Sequence, residues 1–353
     1  MPERMIHKSE IITPKYVFSK KRIEDCLFSM CKKMKGVTIY YSLKANSEKL
    51  VLEILKDANA KFEVASIGEF DVLKEISVSS DRIICGLPIK PITWLQHMYS
   101  EGCRYFIFDS KSELDKLINY ASDSLKILRI SISDLVSNSI EYGMDYESAC
   151  KFLQETNNAQ YVDGLSFHIS NNTQIDNFNC VLDRIETLIP FIKASFKILN
   201  IGGGYRIDAS DEFYYNLQNR IARIKIKYGV DVIAEPGNSI VNSAGSIYTK
   251  VIGIKKRKDY TDVYIDVGKP SGLKTSNKRL PERINVIGKD ISFEKQKYRF
   301  IDITCMHKPH FFWELNYVLE ENDIVQFTEM GAYTVCLQSK FHLWESPIIE
   351  IVP

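Results

Sequence analysis

The chain has 353 residues, volume enough for one large domain or two moderate ones, and 46 Lys+Arg against 45 Asp+Glu give a net charge of +1 that excludes a strong bias toward nucleic acid or an anionic membrane. Eight cysteines without a CxxC pair suit free thiols in a reducing cytoplasm, and six histidines without ligand spacing argue against a dedicated metal site. The charged start MPERMIHKSE has no apolar signal core, and no apolar run approaches the roughly 20 residues of a spanning helix.

In chain order, ITPKYVFS is a first strand that could join either of two domains. Short β-rich apolar runs then begin near Val37, Phe62, Ile83, Arg104, Leu125, Val162, Ile198 and Val232. Between them lie amphipathic stretches such as SEKLVLEILKDA, IGEFDVLKEI and KSELDKLINYA, with apolar residues three and four apart. Eight strands alternating with helices predict a parallel sheet closed as an α/β (β/α)8 TIM barrel. After about Ser243 the helical period is lost, and SIYTKVIGIKKR, TDVYIDVG, KYRFIDIT, DIVQFTEM and SPIIEIVP read as strands of a C-terminal all-β domain. The expected division is a barrel over residues 20–242, with 1–19 and 243–353 forming a β-sandwich or β-barrel domain.

Chemistry-bearing residues follow the barrel strands, on the face where active sites of this fold sit. TIYYSLKAN delivers Lys44 to a strand end, where partial desolvation by Tyr40 and Tyr41 would leave its amine nucleophilic. Phe167-His168 follows another strand and offers an imidazole able to stack on a planar ring. Gly202-Gly203-Gly204 follows a third and lets backbone N–H groups approach a phosphate. Glu235, held by Pro236-Gly237, follows a fourth and could keep a pyridine nitrogen protonated. Taken singly, these are most often a snorkelling lysine, a core histidine, a flexible turn and a solvated glutamate. Together they are the parts of a pyridoxal 5'-phosphate (PLP) site.

The ordered motifs YYSLKANS, FEVASIGEF, CGLPIK, FIFDSKSEL, FHIS, IGGGY, AEPGNSIV, ITCM and GAYT resemble those of the alanine-racemase-fold (fold type III) PLP decarboxylases, the ornithine, diaminopimelate and carboxynorspermidine decarboxylase group. The resemblance runs from Thr13-Pro14 to Tyr333 and implies residue roles. Lys44 would carry PLP, with Glu63 nearby where the family has aspartate. His168 would face the ring, Glu235 the pyridine nitrogen, and Gly202, Gly203, Gly204, Gly237, Asn238 and Tyr333 would lie around the phosphate end. Cys305 would return a proton to the substrate Cα, reaching the site from a partner subunit, so a homodimer with shared sites is implied.

This chain departs from the family's pattern at several places. Asn238 stands where an arginine is usual, Ser170-Asn171 replace a Gly-Ser pair, and Glu141-Tyr142-Gly143 replaces Lys-Phe-Gly. After Cys305, diamine-forming members place an acidic residue to pair with the substrate's distal ammonium, whereas here Met306 and His307 follow. A thioether does not offset the desolvation of an ammonium. The expected reaction is therefore α-decarboxylation of an amino acid whose side chain is conjugated to something larger or anionic, such as a nucleotide-linked aminocarboxypropyl group, a siderophore intermediate or a carrier-bound amino acid. The alternatives are a diamino-acid or carboxynorspermidine decarboxylase, an amino-acid racemase, which Glu235 disfavours because alanine racemases place an arginine there, and a non-catalytic PLP-binding homologue.

Overall fold

The computed structural model describes residues 11–136, 142–192, 194–273, 280–305 and 311–353. It divides into two compact units, one spanning Glu24–Ile240 and the other made from the chain on either side. The opening strand β1 (Lys15–Ser19) belongs to the second of these, pairing antiparallel with β10 (Gly245–Lys256) and parallel with the last strand, β16 (Ile348–Val352).

Eight parallel strands close the first unit into a barrel: β2 (Thr38–Ser42), β3 (Lys61–Val64), β4 (Ile83–Cys85), β5 (Tyr105–Phe108), β6 (Leu125–Arg129), β7 (Gly164–Ser166), β8 (Ile198–Asn200) and β9 (Asp231–Ala234). Each of the eight apolar runs expected from the sequence became one of them. Closure is made by β2 against β9, with Thr38 opposite Ile233 and Ile39 opposite Ala234. The helices between have the expected one-sided burial: Lys49–Asp57 buries Val51, Leu52, Ile54 and Leu55. Asp211–Tyr228 is capped by the Ser210 hydroxyl accepting from Phe213 N–H and ends at Gly229, whose φ of 67° is the left-handed cap that favours glycine. Among the described residues, no helix is long and apolar enough to cross a membrane.

Inside the barrel, Tyr40, Ile84, Ile107, Ile127, Ile198 and Ile233 from six strands form one buried cluster. Strand side chains alternate with period two, so the residue two positions further along each strand enters the next layer up, at the mouth. Two positions on from the six plug residues stand Ser42, Gly86, Asp109, Arg129, Asn200 and Glu235, at or just past the strand ends. The apolar plug thus gives way to mostly polar residues at the C-terminal ends of the strands.

The second unit is an eight-stranded sheet ordered β12-β15-β10-β11-β13-β14, extended by β1 and β16. Its remaining strands are β11 (Thr261–Ile265), β12 (Ile284–Val286), β13 (Gln296–Asp302), β14 (Phe311–Leu315) and β15 (Ile324–Thr328). The short strands β12 and β14 were not anticipated. Three residues in one and five in the other give too little alternation to read, and Phe312 and Glu314 both face outward.

Candidate active site

Lys44 sits in a single 3-10 turn, Leu43–Ala45, immediately after β2. Two contacts fix this turn. Ser42 N–H donates to Pro236 O at 3.2 Å, and a Cβ on Gly237 would lie 2.8 Å from the Ala45 Cβ. The Glu-Pro-Gly loop after β9 therefore packs directly on the lysine turn, and only glycine permits that approach. Lys44 Nζ is 3.9 Å from Glu63 Oε2, and its side chain is 44 % exposed while that of Glu63 is 2 % exposed. The tyrosines expected to desolvate it do otherwise: Tyr40 belongs to the apolar plug, and the Tyr41 hydroxyl donates to Asn46 O at 2.8 Å. A buried carboxylate stands beside the lysine amine.

Glu63 lies opposite Ser42 in the β2–β3 register, and the Ser42 hydroxyl donates to its Oε2. Room for the carboxylate comes from Gly86, where a Cβ would stand 2.1 Å from Glu63 Oε1. Glu69, in the first turn of the helix Ile67–Glu75, completes a reciprocal cap: Ser66 Oγ accepts from Glu69 N–H, and Glu69 Oε2 accepts from Ala65 N–H at 2.6 Å. Burial, together with the charge of Glu63, pushes the Glu69 carboxyl up to about 7.

Glu235 is buried at the end of β9. Its Oε1 accepts from Asn200 Nδ2 at 2.6 Å, and its N–H donates to Gly202 O at 2.7 Å. Burial first, then the charge of Glu63, pushes its carboxyl up to about 7; Lys44, the Asn200 amide and Arg129 oppose the shift. The His168 Nδ1 accepts from Gly203 N–H at 3.1 Å, which leaves the ring proton on Nε2. Burial, with the cations Lys44 and Arg129, pulls the imidazole down to about 3, so it is neutral at physiological pH.

The glycine run is shaped by close approaches. A Cβ on Gly203 would meet Glu235 O at 2.6 Å and His168 Cε1 at 3.1 Å, and one on Gly204, whose φ is +81°, would meet Ile169 O at 2.0 Å. The sequence suggested three amides free for a phosphate, but two are committed: Gly202 N–H goes to Asn200 Oδ1 at 2.9 Å and Gly203 N–H to His168. The Gly204 amide has no hydrogen-bond partner among the described residues. Beside it, the buried Asn172 side chain leaves Oδ1 and Nδ2 without a well-directed hydrogen bond, in the wall of a polar cavity of ≈ 220 Å³ that Ser170 and Asn171 also line. Asn238 is exposed and opens the short helix Asn238–Val241.

Lys44, Glu63, His168, Gly202, Gly203, Gly204, Glu235, Gly237 and Asn238 thus all follow the C-terminal ends of β2, β3, β7, β8 and β9 or, for Glu63, lie within one. Sequence reading missed Ser42, Gly86, Arg129 and Asn200, which the period-two rule places in the same layer. Cys305 and Tyr333 lie in the other unit. Cys305 is exposed with φ +52°, after Thr304 N–H donates to Asp302 Oδ1 at 2.9 Å, and Tyr333 is half-buried with φ +54°. Left-handed backbone at a non-glycine residue costs roughly 1–2 kcal/mol. Met306 and His307 lie outside the described residues.

These features fit PLP: a reachable amine, an imidazole of fixed orientation, a buried carboxylate able to hold a proton, and a glycine bend with a spare amide beside unsatisfied polar atoms. Residues 20–242 match the family model described as pyridoxal-dependent decarboxylase, pyridoxal binding domain. The chain belongs to this family. It is a PLP-dependent amino-acid carboxy-lyase of fold type III, in the ornithine decarboxylase group. The decarboxylase is 27 % identical over 337 residues to the ornithine decarboxylase of Schizosaccharomyces pombe, covering 88 % of this chain and 76 % of that protein. It is 25 % identical over 353 residues to the lysine/ornithine decarboxylase of Selenomonas ruminantium, covering 94 % and 88 % respectively. Its fold matches the crystal structure of the Paramecium bursaria Chlorella virus arginine decarboxylase with a TM-score of 0.88 over 98 % of each chain, at 24 % identity. Between decarboxylase and racemase on one fold, the family match decides for the decarboxylase.

Proposed function

We propose that this decarboxylase removes the α-carboxylate of an amino acid with a conjugated, anionic or hydrogen-bonding side chain, as a step of specialised biosynthesis. The observation that carries this reading is the sequence Cys305-Met306-His307, with no carboxylate next to the cysteine to receive a distal ammonium. When bound, PLP supplies the electron sink for the pair left at Cα as the C–C bond breaks and CO₂ departs. Lys44 would hold the cofactor through its amine, and Glu235 would face the ring nitrogen and hold a proton there. The neutral His168 imidazole would lie against the ring, and Cys305 would supply the proton that takes the place of CO₂ at Cα. The positive φ at Cys305 and at Tyr333 supports functional roles for both, because strained backbone clusters at such sites. The second reading is a diamino-acid decarboxylase, favoured by the names of the relatives.

Purified enzyme should turn over ornithine, lysine and diaminopimelate poorly. A site lacking the partner of a buried charge rejects it by roughly 2–4 kcal/mol. Met306→Glu should raise diamino-acid turnover, read as CO₂ release. Efficient wild-type decarboxylation of ornithine or lysine would hand the case to the second reading.

The shared-site homodimer is tested by mixing subunits. Inactive Lys44→Ala and Cys305→Ala proteins, allowed to exchange, should regain up to roughly a quarter of wild-type activity, since half the dimers would be mixed and each would hold one intact site. No recovery after verified exchange would mean that each chain builds its own site.

A further inference from the structure

Asn200 is fully buried in the mouth layer of the barrel, and its one side chain makes two bonds in opposite directions. Its Nδ2 donates to Glu235 Oε1 at 2.6 Å, and its Oδ1 accepts from Gly202 N–H at 2.9 Å. The β8–β9 register sets this up: Asn200 stands opposite Ile233, so the chain beyond it runs beside Glu235, whose own N–H returns to Gly202 O at 2.7 Å. The next amide along, Gly203 N–H, fixes His168. Asn200 is therefore the shared anchor of the carboxylate, the glycine bend and, through that bend, the imidazole.

We infer that Asn200 is a positioning residue for the decarboxylation, holding Glu235 Oε1 so that Oε2 is the oxygen left to exchange a proton, and tying that carboxylate to the glycine bend. The inference rests on the reading of Glu235 as partner of the ring nitrogen. The amide is suited to this because it offers one donor and one acceptor at fixed separation. A carboxylate at 200 could still accept from Gly202 but could not donate to Glu235, and an aliphatic side chain could do neither. The amide's donor also opposes the upward shift of Glu235 that burial and Glu63 produce.

The near-isosteric substitution Asn200→Asp tests this, because it replaces the amide donor with a second carboxyl beside Glu235 while keeping an acceptor for Gly202 N–H. In ¹³C-carboxyl-labelled apoprotein, the upper titration midpoint of the 200/235 pair should rise, so that the proton is held about tenfold or more tightly than by wild-type Glu235. The Gly202 amide resonance should remain hydrogen-bonded. In the PLP-loaded enzyme, kcat should fall about tenfold to a hundredfold with KM changed less than about threefold. The double substitution Asn200→Asp/Glu235→Gln restores a donor–acceptor pair and should recover the thermal stability lost in Asn200→Asp. An upper midpoint within about twofold in proton affinity of the wild-type value would overturn the inference. So would an unchanged kcat, or a double variant that misfolds alongside the single one. Glu235→Gln assayed in parallel separates the two claims: if it alone keeps full turnover, the reading of Glu235 fails while the apoprotein titration still reports on Asn200.

Discussion

Replacing Lys44 with alanine should abolish decarboxylation, with a loss of about four orders of magnitude or more, because in the proposed role its amine would be the one that holds the cofactor. Lys44→Arg should be nearly as inactive. It keeps a positive charge near Glu63, but a guanidinium stays protonated and cannot serve as the nucleophile. The pair of variants separates the two duties of this lysine. In Lys44→Ala, Glu235 and Glu69 lose a cation that draws their proton affinity down, so both carboxyls should titrate higher than in wild type. The arginine variant should keep that electrostatic effect while still failing in catalysis. Steady-state CO₂ release and carboxyl titration of the apoproteins give both readouts, and substantial turnover by either variant would remove Lys44 from its role.

Glu235→Gln should have opposite effects on activity and on stability. Turnover should fall by about 10²–10⁴-fold, the range for removing a group that controls a proton in the reaction. The apoprotein, however, should gain stability at alkaline pH. The folded-state carboxyl is raised from 4.5 to about 7, so the native state binds the proton more tightly than the unfolded chain does. Its contribution to stability is fully present below the unfolded value and is lost as pH rises to about 7. Glutamine keeps an Oε1 acceptor for Asn200 Nδ2 and carries no charge to desolvate. At pH 8 the variant apoprotein should therefore be more stable than wild type by about 1–3 kcal/mol, with the difference shrinking toward zero near pH 5. Urea denaturation of both proteins at the two pH values checks this. Parallel stability–pH curves would mean that Glu235 is not the titrating group.

Much of this site was legible because its parts follow strand ends in short, local motifs. Lys44 after TIYYS, His168 after GLSF, the glycines after KILNI and Glu235 after VDVIA each carry their position in the neighbouring letters. The residues that were missed depend on register between strands. Asn200 and Arg129 look like ordinary ends of apolar runs until closure of the barrel shows which strand faces which. Counting two positions on from Ile127, Ile198 and Ile233 would have found Arg129, Asn200 and Glu235 together. Gly86 lies within the motif CGLPIK, yet its reason, the carboxylate of Glu63 lying where a Cβ would be, is visible only in three dimensions. Around Lys44, Glu63 stands on β3 beside the amine as the resemblance implies, whereas the shielding expected of Tyr40 and Tyr41 depends on side-chain direction: the two are adjacent in sequence but on opposite faces of β2.

The most direct test is to treat the PLP-loaded enzyme with borohydride and map the reduced phosphopyridoxyl adduct by peptide mass spectrometry. A single adduct on Lys44, absent from Lys44→Ala, is the expected result. Stoichiometric labelling of a different lysine, or no adduct on a protein that still releases CO₂, would contradict the assignment of the site.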